Sequence, residues 1–361
     1  MRNQEKIFVI GHKNPDTDSI CSAIAYCDIK NRTSQKQKFV PKRAGQINEE
    51  TEYVLSRFGV QPPGYLSNIG TQVKDMDIRM SPDADKSMSL KAAWDIMQEN
   101  SIVSLPIRDK EGALEGLITI GDIAKTYMDT TDSYLLSRAR TQYQKIAETI
   151  SGEIIEGNPH GYFIKGRVMV GTANPDKMKE YIEEDDMIIM GDREEDHLQA
   201  IAQNVSCIIV GLGIQVTENV VKLAHEKDII IIASPYDTFT IARLINQSIP
   251  VRYIMKTDNL VTFNTEDFTD DIQDVMIKHR HRAFPVINKK GKCIGTISRR
   301  NFLGMHKKQV VLVDHNEVDQ AVDNIEKADI LEIIDHHKLG TLQTVQPISF
   351  RNQPVGCTGT I

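Results

Sequence analysis

The N-terminal region alternates a short apolar run, a polar loop and an amphipathic segment. Ile7–Ile10 is apolar, and the polar loop after it leads to apolar residues spaced i, i+4 and i+7. These are Ile20, Ile24 and Cys27, which this spacing places on one face of a helix. The pattern predicts a strand, a loop and a helix over residues 7–31.

A pattern of helix, strand, turn and strand occurs twice, over residues 72–130 and 250–306. In each copy a proline in one strand precedes a glycine in the next by ten residues: Pro106 to Gly116 and Pro285 to Gly295. A repeat of about 60 residues indicates one supersecondary unit used twice. We therefore expect two related small domains.

The segment between the two copies, residues 131–249, has a pattern of its own. It opens with a predicted helix over 134–150 and then alternates apolar strands with helical stretches. Strands are predicted at 168–171, 187–190, 207–210 and 229–233. Such alternation is typical of a small α/β domain with a mainly parallel sheet.

The pattern of the N-terminal region resumes after residue 307. Val310–Val313 is apolar and ends in a polar loop, a helix is predicted over 318–328, and Ile330–Ile334 is again apolar. The two ends of the chain therefore belong to one α/β domain with a parallel sheet, interrupted by a long insert.

Composition places the chain among globular proteins. Its 361 residues suffice for two to four domains, at about 100–200 residues each. With 40% hydrophobic and 26% charged residues, the chain is not of a disordered, collagenous or coiled-coil class. No apolar stretch reaches about 18 residues, and the N-terminus lacks the pattern of a signal peptide, so no membrane association is expected. A net charge of −7 argues against general nucleic-acid binding.

The cysteines are odd in number and scattered along the chain. They are Cys21, Cys27, Cys207, Cys293 and Cys357. This distribution favours buried free thiols over a disulfide framework and predicts a cytoplasmic chain.

Acidic and histidine residues follow three of the predicted strands. They are His12, Asp16 and Asp18; Asp314 and His315; and Asp335, His336 and His337. The carboxyl ends of parallel strands meet at one edge of a sheet, where ligands bind. Mixed carboxylate and imidazole ligands suit Mn²⁺ or a similar divalent ion, and a cation removes the repulsion among the acids.

Turn formation and helix capping are the alternative explanation for each motif taken alone. Asp18, for example, has the position of an N-cap before Ser19. Three strand ends with such side chains are not explained by capping, so we favour the metal site.

These three motifs resemble those of the DHH phosphoesterase superfamily, and within it the family II inorganic pyrophosphatases. The sequence Asp16-Thr17-Asp18-Ser19 favours pyrophosphatases, because other DHH enzymes usually have glycine between the two acids. The segments 43–51 and 354–358 are also similar to that family.

The resemblance implies two Mn²⁺ or Co²⁺ ions and a set of residue roles. His12 and Asp16 would bind one ion, Asp18 and His336 the other, and Asp314 would bridge them. His337 would contact pyrophosphate and donate a proton, and His315 would support the ligands. The implied reaction is two-metal hydrolysis of diphosphate to two phosphates.

The two repeats resemble cystathionine-β-synthase (CBS) motifs, and the segment between them resembles a DRTGG domain with a degraded signature at 191–195. In CBS motifs a hydroxyl residue and, three residues later, an acid or amide hold the ribose of an adenine nucleotide. Here these positions are Thr119 and Asp122, and Ser298 and Asn301, with Arg299 available for phosphate. AMP, ADP or ATP is the implied regulator. The alternative is that Thr119 and Ser298 only cap helices, with Asp122 completing a capping box.

The resemblance also predicts the division of the chain and its assembly. The expected parts are a DHH domain over 1–71, a CBS motif over 72–130, a DRTGG-like domain over 131–249, a second CBS motif over 250–306, and the continued DHH domain over 307–361. A homodimer without nucleic-acid or membrane partners is expected. The family has a further bridging aspartate and a second, substrate-binding domain after this point, so the chain is expected to be truncated and poor at hydrolysis.

Two other functions stay open at this stage. One is a non-catalytic adenine-nucleotide sensor. The other is a DHH phosphoesterase with a nucleotide substrate.

Overall fold

The computed structural model describes residues 5–34, 37–128, 132–173, 175–303 and 305–361. The chain divides into two compact units. Unit 1 comprises residues 1–78, 264–280 and 299–361, and unit 2 comprises 79–263 and 281–298. None of the helices in the described ranges has the length and apolar character needed to cross a membrane.

The elements are labelled in chain order. The strands are β1 Glu5–Ile10, β2 Gln37–Arg43, β3 Gly64–Tyr65, β4 Arg79–Met80, β5 Ser104–Arg108, β6 Leu114–Thr119, β7 Thr141–Gln142, β8 Glu153–Glu156, β9 Tyr162–Phe163, β10 Val168–Val170, β11 Met187–Met190, β12 Cys207–Val210, β13 Ile230–Ala233, β14 Phe263–Asn264, β15 Phe284–Ile287, β16 Cys293–Ile297, β17 Gln309–Val313, β18 Asp329–Asp335 and β19 Ser349–Asn352. The helices are α1 Thr17–Thr33, α2 Glu49–Arg57, α3 Leu90–Glu99, α4 Ile120–Met128, α5 Leu135–Arg138, α6 Tyr143–Thr149, α7 Pro175–Tyr181, α8 Glu194–Ala202, α9 Glu218–Glu226, α10 Thr238–Leu244 and α11 Thr269–Lys278.

Unit 1 is built on a parallel sheet with the strand order β19-β18-β17-β1-β2-β3. Its central strands are apolar on both faces, as parallel strands covered on both sides must be. On one face Ile7 and Val9 pack with Ala23 and Cys27 of α1. This arrangement confirms the predicted α/β domain assembled from the two ends of the chain.

The prediction of a helix over 318–328 is wrong. Two short 3₁₀ turns, Val318–Gln320 and Ile325–Lys327, lie there instead. Asn324 has φ 62°, a left-handed conformation that ends any helix. The chain between the turns is extended and buries Ala321 and Val322 against the sheet. In the second repeat, a 3₁₀ turn at Arg299–Phe302 follows the last strand of the hairpin.

Unit 2 contains a sheet with the order β10-β11-β12-β13-β8, in which the first four strands are parallel and β8 is antiparallel. The predicted mainly parallel sheet is therefore confirmed. One face is covered by α7, α8 and α9, and the other packs with α6 and α10.

The single helix predicted over 134–150 is wrong, since it is divided into α5, β7 and α6. Arg140 is left-handed, with φ 51°, and breaks the helix. The Thr141 hydroxyl then donates to the Leu136 carbonyl at 2.8 Å, so a side chain takes the place of a helical amide.

The internal repeat is visible in strand register. In the first copy β5 pairs antiparallel with β6, and Leu105 lies opposite Ile118. In the second copy β15 pairs with β16, and Phe284 lies opposite Ile297. Both hairpins have an irregularity at the same place, after Ile107 and after Val286.

All five cysteines are free. Cys27, Cys207 and Cys293 are buried as predicted, whereas Cys21 and Cys357 are only half-buried. Burial raises the pKa of the Cys27 thiol to about 12, so this sulfur stays protonated.

Candidate metal centre

The loop after β1 is held tightly against the start of α1. Asp16 is the N-cap of α1, and its Oδ1 accepts from the Ser19 amide at 2.9 Å. The Ser19 hydroxyl in turn accepts from the His12 amide at 3.2 Å. A Cβ on Gly11 would lie 1.8 Å from the Ser19 Oγ, so this close approach requires glycine. The capping role suggested for Asp18 therefore belongs to Asp16, which leaves the Asp18 carboxylate for the centre.

Asp314 lies directly after β17 and is 1% exposed. Its φ of 63° is left-handed, a conformation tolerated by aspartate and unusual for other residues with a Cβ. Such a strained turn directs one side chain at the strand end. The Asp314 amide donates to the Ile334 carbonyl of β18 at 2.9 Å, which ties the two strand ends together.

Two histidines face opposite oxygens of the Asp314 carboxylate. The His12 Nε2 is 3.4 Å from Asp314 Oδ2 and 3.8 Å from Asp16 Oδ1. The His336 Nε2 is 3.3 Å from Asp314 Oδ1 and 3.7 Å from Asp18 Oδ2. The tertiary structure thus brings the five predicted ligands together as two pairs on either side of one carboxylate.

The Asp314 Oδ2 atom is buried and has no hydrogen-bond donor among the described residues. An unpartnered buried carboxylate oxygen is costly unless a cation or a proton satisfies it. Two groups of possible metal ligands include this residue: His12, Asp16 and Asp314, and Asp314, His336 and His337. Carboxylates mixed with imidazoles fit Mn²⁺ or Co²⁺.

A loop near residue 358 completes the surroundings of the second pair. The Thr358 hydroxyl donates to Asp314 Oδ1 at 2.9 Å. The Thr358 and Gly359 amides donate to the two Asp18 oxygens at 2.6 and 3.1 Å, and the Ser22 hydroxyl donates to Asp18 Oδ1 at 2.9 Å. These contacts orient both carboxylates, and no sequence motif indicates this role for Thr358.

The histidines after β18 are oriented through their Nδ1 atoms. His336 Nδ1 lies 3.0 Å from the Val355 carbonyl, and His337 Nδ1 lies 2.9 Å from Asp335 Oδ1. Because both acceptors require an Nδ1–H donor, each Nε2 is left with a free lone pair in the neutral ring. The Asn316 amide also donates to Asp335 Oδ2. Asp335 is therefore a positioning residue for His337, whose side chain is half exposed.

Electrostatics follow from these contacts. The Asp314 carboxylate beside it raises the pKa of His12, against the effect of burial. Burial alone would raise the pKa of Asp18, but the amides of Thr358 and Gly359 and the Ser22 hydroxyl outweigh it and lower that pKa. Burial lowers the pKa of His315 to about 4, so this ring is neutral. His315 Nδ1 donates to the Val313 carbonyl at 2.9 Å, consistent with a supporting position.

The predicted nucleotide residues are placed in two groups. Thr119 and Asp122 belong to unit 2, where Asp122 Oδ2 accepts from the Thr119 amide at 2.9 Å and from its hydroxyl at 2.6 Å. Ser298 is the last residue of unit 2. In unit 1, the Arg299 guanidinium donates to the Met276 and His279 carbonyls, and the Asn301 amide donates to the Asp77 carbonyl at 2.6 Å.

Comparison with known domains matches three parts of the chain. Residues 145–248 match the DRTGG domain. Residues 74–129 and 251–307 each match the CBS domain.

Similarity to curated proteins extends along the whole chain. A cobalt-dependent inorganic pyrophosphatase of Clostridium perfringens is 40% identical over 358 residues, covering 99% of this chain and 65% of that protein. A probable manganese-dependent inorganic pyrophosphatase of Thermotoga maritima is 33% identical over 368 residues, covering 100% of this chain and 66% of that protein. The chain thus spans slightly less than two thirds of the length of these relatives.

A solved structure of a regulatory region is similar in both sequence and fold. It contains the CBS and DRTGG domains of the regulatory region of the Clostridium perfringens pyrophosphatase, complexed with the activator diadenosine tetraphosphate. It is 35% identical, with a TM-score of 0.60, and the match covers 63% of this chain and 100% of that one.

Proposed function

We propose that this chain, as a member of the inorganic pyrophosphatases that contain CBS and DRTGG domains, provides the metal centre and the nucleotide-binding part of such an enzyme. The reaction is hydrolysis of diphosphate to two phosphates. The observation that carries this proposal is the buried Asp314 carboxylate, with His12 and Asp16 on one side and His336 and Asp18 on the other.

The five ligands define where two divalent ions would be held. Asp314 has one oxygen facing each histidine, as a bridging carboxylate requires. Mn²⁺ or Co²⁺ bound there would lower the pKa of a coordinated water and neutralise phosphate oxygens. We expect Mn²⁺ or Co²⁺ to bind in preference to Mg²⁺, because Mg²⁺ favours oxygen ligands and water over imidazole.

The chain's own residues supply orientation and a proton. Asp335 fixes the His337 ring through Nδ1, so the Nε2 atom of this half-exposed side chain is available to substrate. A protonated His337 would donate to the leaving phosphate, since loss of a phosphate anion is easier once its oxygen is protonated. Thr358 and Ser22 keep the Asp314 and Asp18 carboxylates in place.

The second part of the proposal is control by an adenine nucleotide bound to the CBS pair. Thr119 and Asp122 are the proposed ribose ligands of the first motif, and Ser298 and Asn301 are those of the second, with Arg299 available for phosphate. The similar regulatory region in complex with diadenosine tetraphosphate supports this assignment. Homodimer formation in the cytoplasm, and the domain boundaries deduced from the motifs, are part of the same proposal.

Hydrolysis is tested with the protein expressed from its own gene. Phosphate release from pyrophosphate is measured with Mn²⁺, Co²⁺ and Mg²⁺, and a dinucleotide serves as the competing substrate. We expect turnover of pyrophosphate with Mn²⁺ or Co²⁺ and at least a 100-fold loss in His337→Asn, the order of effect reported for general acids. Glu317→Gln, a change on the neighbouring connection, is the control. Cleavage of the dinucleotide to mononucleotides without turnover of pyrophosphate would favour a different phosphoesterase, and no turnover of either substrate would favour the nucleotide sensor.

Nucleotide binding is tested on the 361-residue chain. A ligand that binds the native state raises the unfolding temperature by mass action. We expect AMP, ADP, ATP or diadenosine tetraphosphate to do so, and Asp122→Asn to weaken the response. Glu111→Gln, an exposed acid in the turn of the same hairpin, should leave it unchanged. A chain that responds to none of these nucleotides would contradict the regulatory part of the proposal.

A further inference from the structure

Asp122 has two carboxylate oxygens with different partners. Oδ2 accepts from the amide and the hydroxyl of Thr119, which is a local helix-start contact. Oδ1 lies 3.4 Å from the Lys256 ammonium, which comes from the segment that begins the second repeat. Helix capping therefore accounts for the contacts of Oδ2, whereas Oδ1 forms an ion pair with a residue distant in sequence.

The position of Lys256 is set by its backbone. Its amide and carbonyl both pair with Leu117 of β6, at 2.9 Å each. A Cβ on Gly116 would lie 3.0 Å from the Lys256 carbonyl, so glycine permits this close approach. The backbone is thus held beside Thr119 and Asp122, while the side chain is 56% exposed and able to move.

A second hydroxyl of this hairpin is buried. Ser104 is directly opposite Thr119 in the β5–β6 hairpin, so the two side chains are on one face. Ser104 is 6% exposed, and its Oγ has no hydrogen-bond partner among the described residues. An unpartnered buried hydroxyl beside Thr119 points to a polar ligand at this end of the hairpin.

The second repeat differs at the corresponding positions. Arg79 pairs with Thr296 as Lys256 pairs with Leu117, so each repeat has a basic residue here. The residue equivalent to Asp122 is Asn301, which has no charge. Of the two repeats, the first therefore has a carboxylate at this position with which the basic residue can form an ion pair, and the second does not.

We propose that Lys256 makes the first CBS site selective for phosphorylated ligands. Its ammonium pairs with Asp122 in the free chain and with the phosphate group of the ligand in the complex. In the free chain the ammonium occupies Asp122 Oδ1. A ribose hydroxyl that takes this oxygen displaces the ammonium, and the four-carbon side chain lets it turn to the phosphate of the same nucleotide. A nucleoside displaces Lys256 without giving it a new partner. This inference rests on the proposed nucleotide binding.

The test compares AMP with adenosine on the 361-residue chain, through thermal-shift titrations that yield dissociation constants by mass action. In Lys256→Gln we expect AMP to bind about ten-fold more weakly, the change for one lost charge-assisted hydrogen bond. Adenosine should bind equally well or more tightly, because the Lys256 ammonium no longer competes with its ribose for Asp122. Lys256→Arg should keep the preference for AMP.

The matched control is Lys125→Gln, which removes an exposed charge from α4 close to Asp122. It should leave the ratio of AMP to adenosine affinity unchanged. Equal weakening of both ligands by Lys256→Gln, or an unchanged ratio, would overturn the inference. Failure of the unmodified chain to bind any adenine nucleotide would instead contradict the proposed function.

Discussion

The two parallel sheets of this protein have similar strands but different carboxyl edges. In unit 1, the loops after β1, β17 and β18 contain acidic and histidine residues. In unit 2, a glycine directly follows each of β10, β11 and β12: Gly171, Gly191 and Gly211. Both groups of possible metal ligands found in the described ranges lie at the first edge.

The loops at these edges are also stabilised differently. In unit 1, side chains such as Thr358 and Asn316 hold the carboxylates. In unit 2, backbone groups join neighbouring loops, since the Leu212 amide donates to the Tyr236 carbonyl at 2.8 Å and the Gly213 amide to the Ser234 carbonyl at 2.8 Å. A Cβ on Gly211 would lie 2.8 Å from the Tyr236 carbonyl, so this closure needs glycine.

The comparison shows what converts a strand edge into a ligand site. A parallel sheet gathers its strand ends whatever residues follow them. Loops that pair through backbone groups close the edge. Loops that bring several carboxylates together leave a negative charge that a bound cation can neutralise.

The largest expected effect comes from Asp314→Asn, which removes the charge between the two histidines. Mn²⁺ affinity should fall by more than about 100-fold, beyond the 10–100-fold typical of residues that only support a ligand. Calorimetric titration of the chain with Mn²⁺ measures this. Asp319→Asn, an exposed acid on the same connection, should bind as the unmodified chain does. Equal Mn²⁺ affinities of the two variants would show that Asp314 binds no metal, and the contrast between the edges of units 1 and 2 would then be wrong.

Thr358→Val should have a smaller effect. The change keeps the side-chain size and the hydrogen bond from the backbone amide to Asp18, but it removes the hydroxyl that orients Asp314. We expect Mn²⁺ to bind about 10-fold more weakly. The control is Thr360→Val, two residues along and exposed. Unchanged binding in Thr358→Val would mean that Asp314 is positioned by its strand turn alone.

Ile209→Val tests the sheet of unit 2 as a purely structural element. Ile209 is fully buried, so loss of one methylene should lower the free energy of unfolding by about 0.5–1.5 kcal/mol. Urea denaturation measures the change, and Ile155→Val at a 39% exposed position is the control. Mn²⁺ affinity should not change. A marked loss of affinity would link the two edges and invalidate the comparison.

The smallest expected effect is on pH dependence. Asp314 raises the pKa of His12 above its ordinary value of 6.5. In the metal-free chain this contributes stability that is complete below pH 6.5 and is lost as the pH rises through the raised pKa. Metal binding requires the neutral ring, so Mn²⁺ affinity has the opposite trend and increases with pH.

Titration of the His12 ring by NMR in the metal-free chain measures this shift. Asp314→Asn should move the His12 midpoint down, because the cause of the shift is gone. His315, whose pKa of about 4 is due mainly to burial, serves as an internal reference. A His12 midpoint at or below 6.5 in the unmodified chain would contradict the arrangement described for the centre.

Secondary structure could be predicted where local pattern and tertiary packing agree. The strand and helix of the N-terminus and the two repeated hairpins are of this kind, because each has a clear apolar periodicity. Prediction failed over 134–150 and 318–328, where Arg140 and Asn324 adopt left-handed conformations. Neither residue is a glycine, and only Asn324 is of a residue type enriched in this conformation, so the local signal for a break is weak.

The site divides in the same way. The motifs identified His12, Asp16, Asp18, Asp314 and His336, and the structure brings these five side chains together; their roles remain predictions. Thr358, Ser104 and Lys256 were not singled out. Thr358 and Lys256 acquire their positions from contacts far along the chain, such as that between Thr358 and Asp314, and Ser104 is placed by its pairing with Thr119 across the hairpin.

The sequence by itself determined the kind of chemistry and the order of the parts, because motifs, repeats and strand patterns are local and survive in one dimension. Tertiary structure decided which oxygen of each carboxylate is free and which is taken. For Asp314 and Asp122 that outcome depends on residues dozens to more than a hundred positions away. Only folding brings such residues within the few ångströms over which hydrogen bonds and ion pairs act.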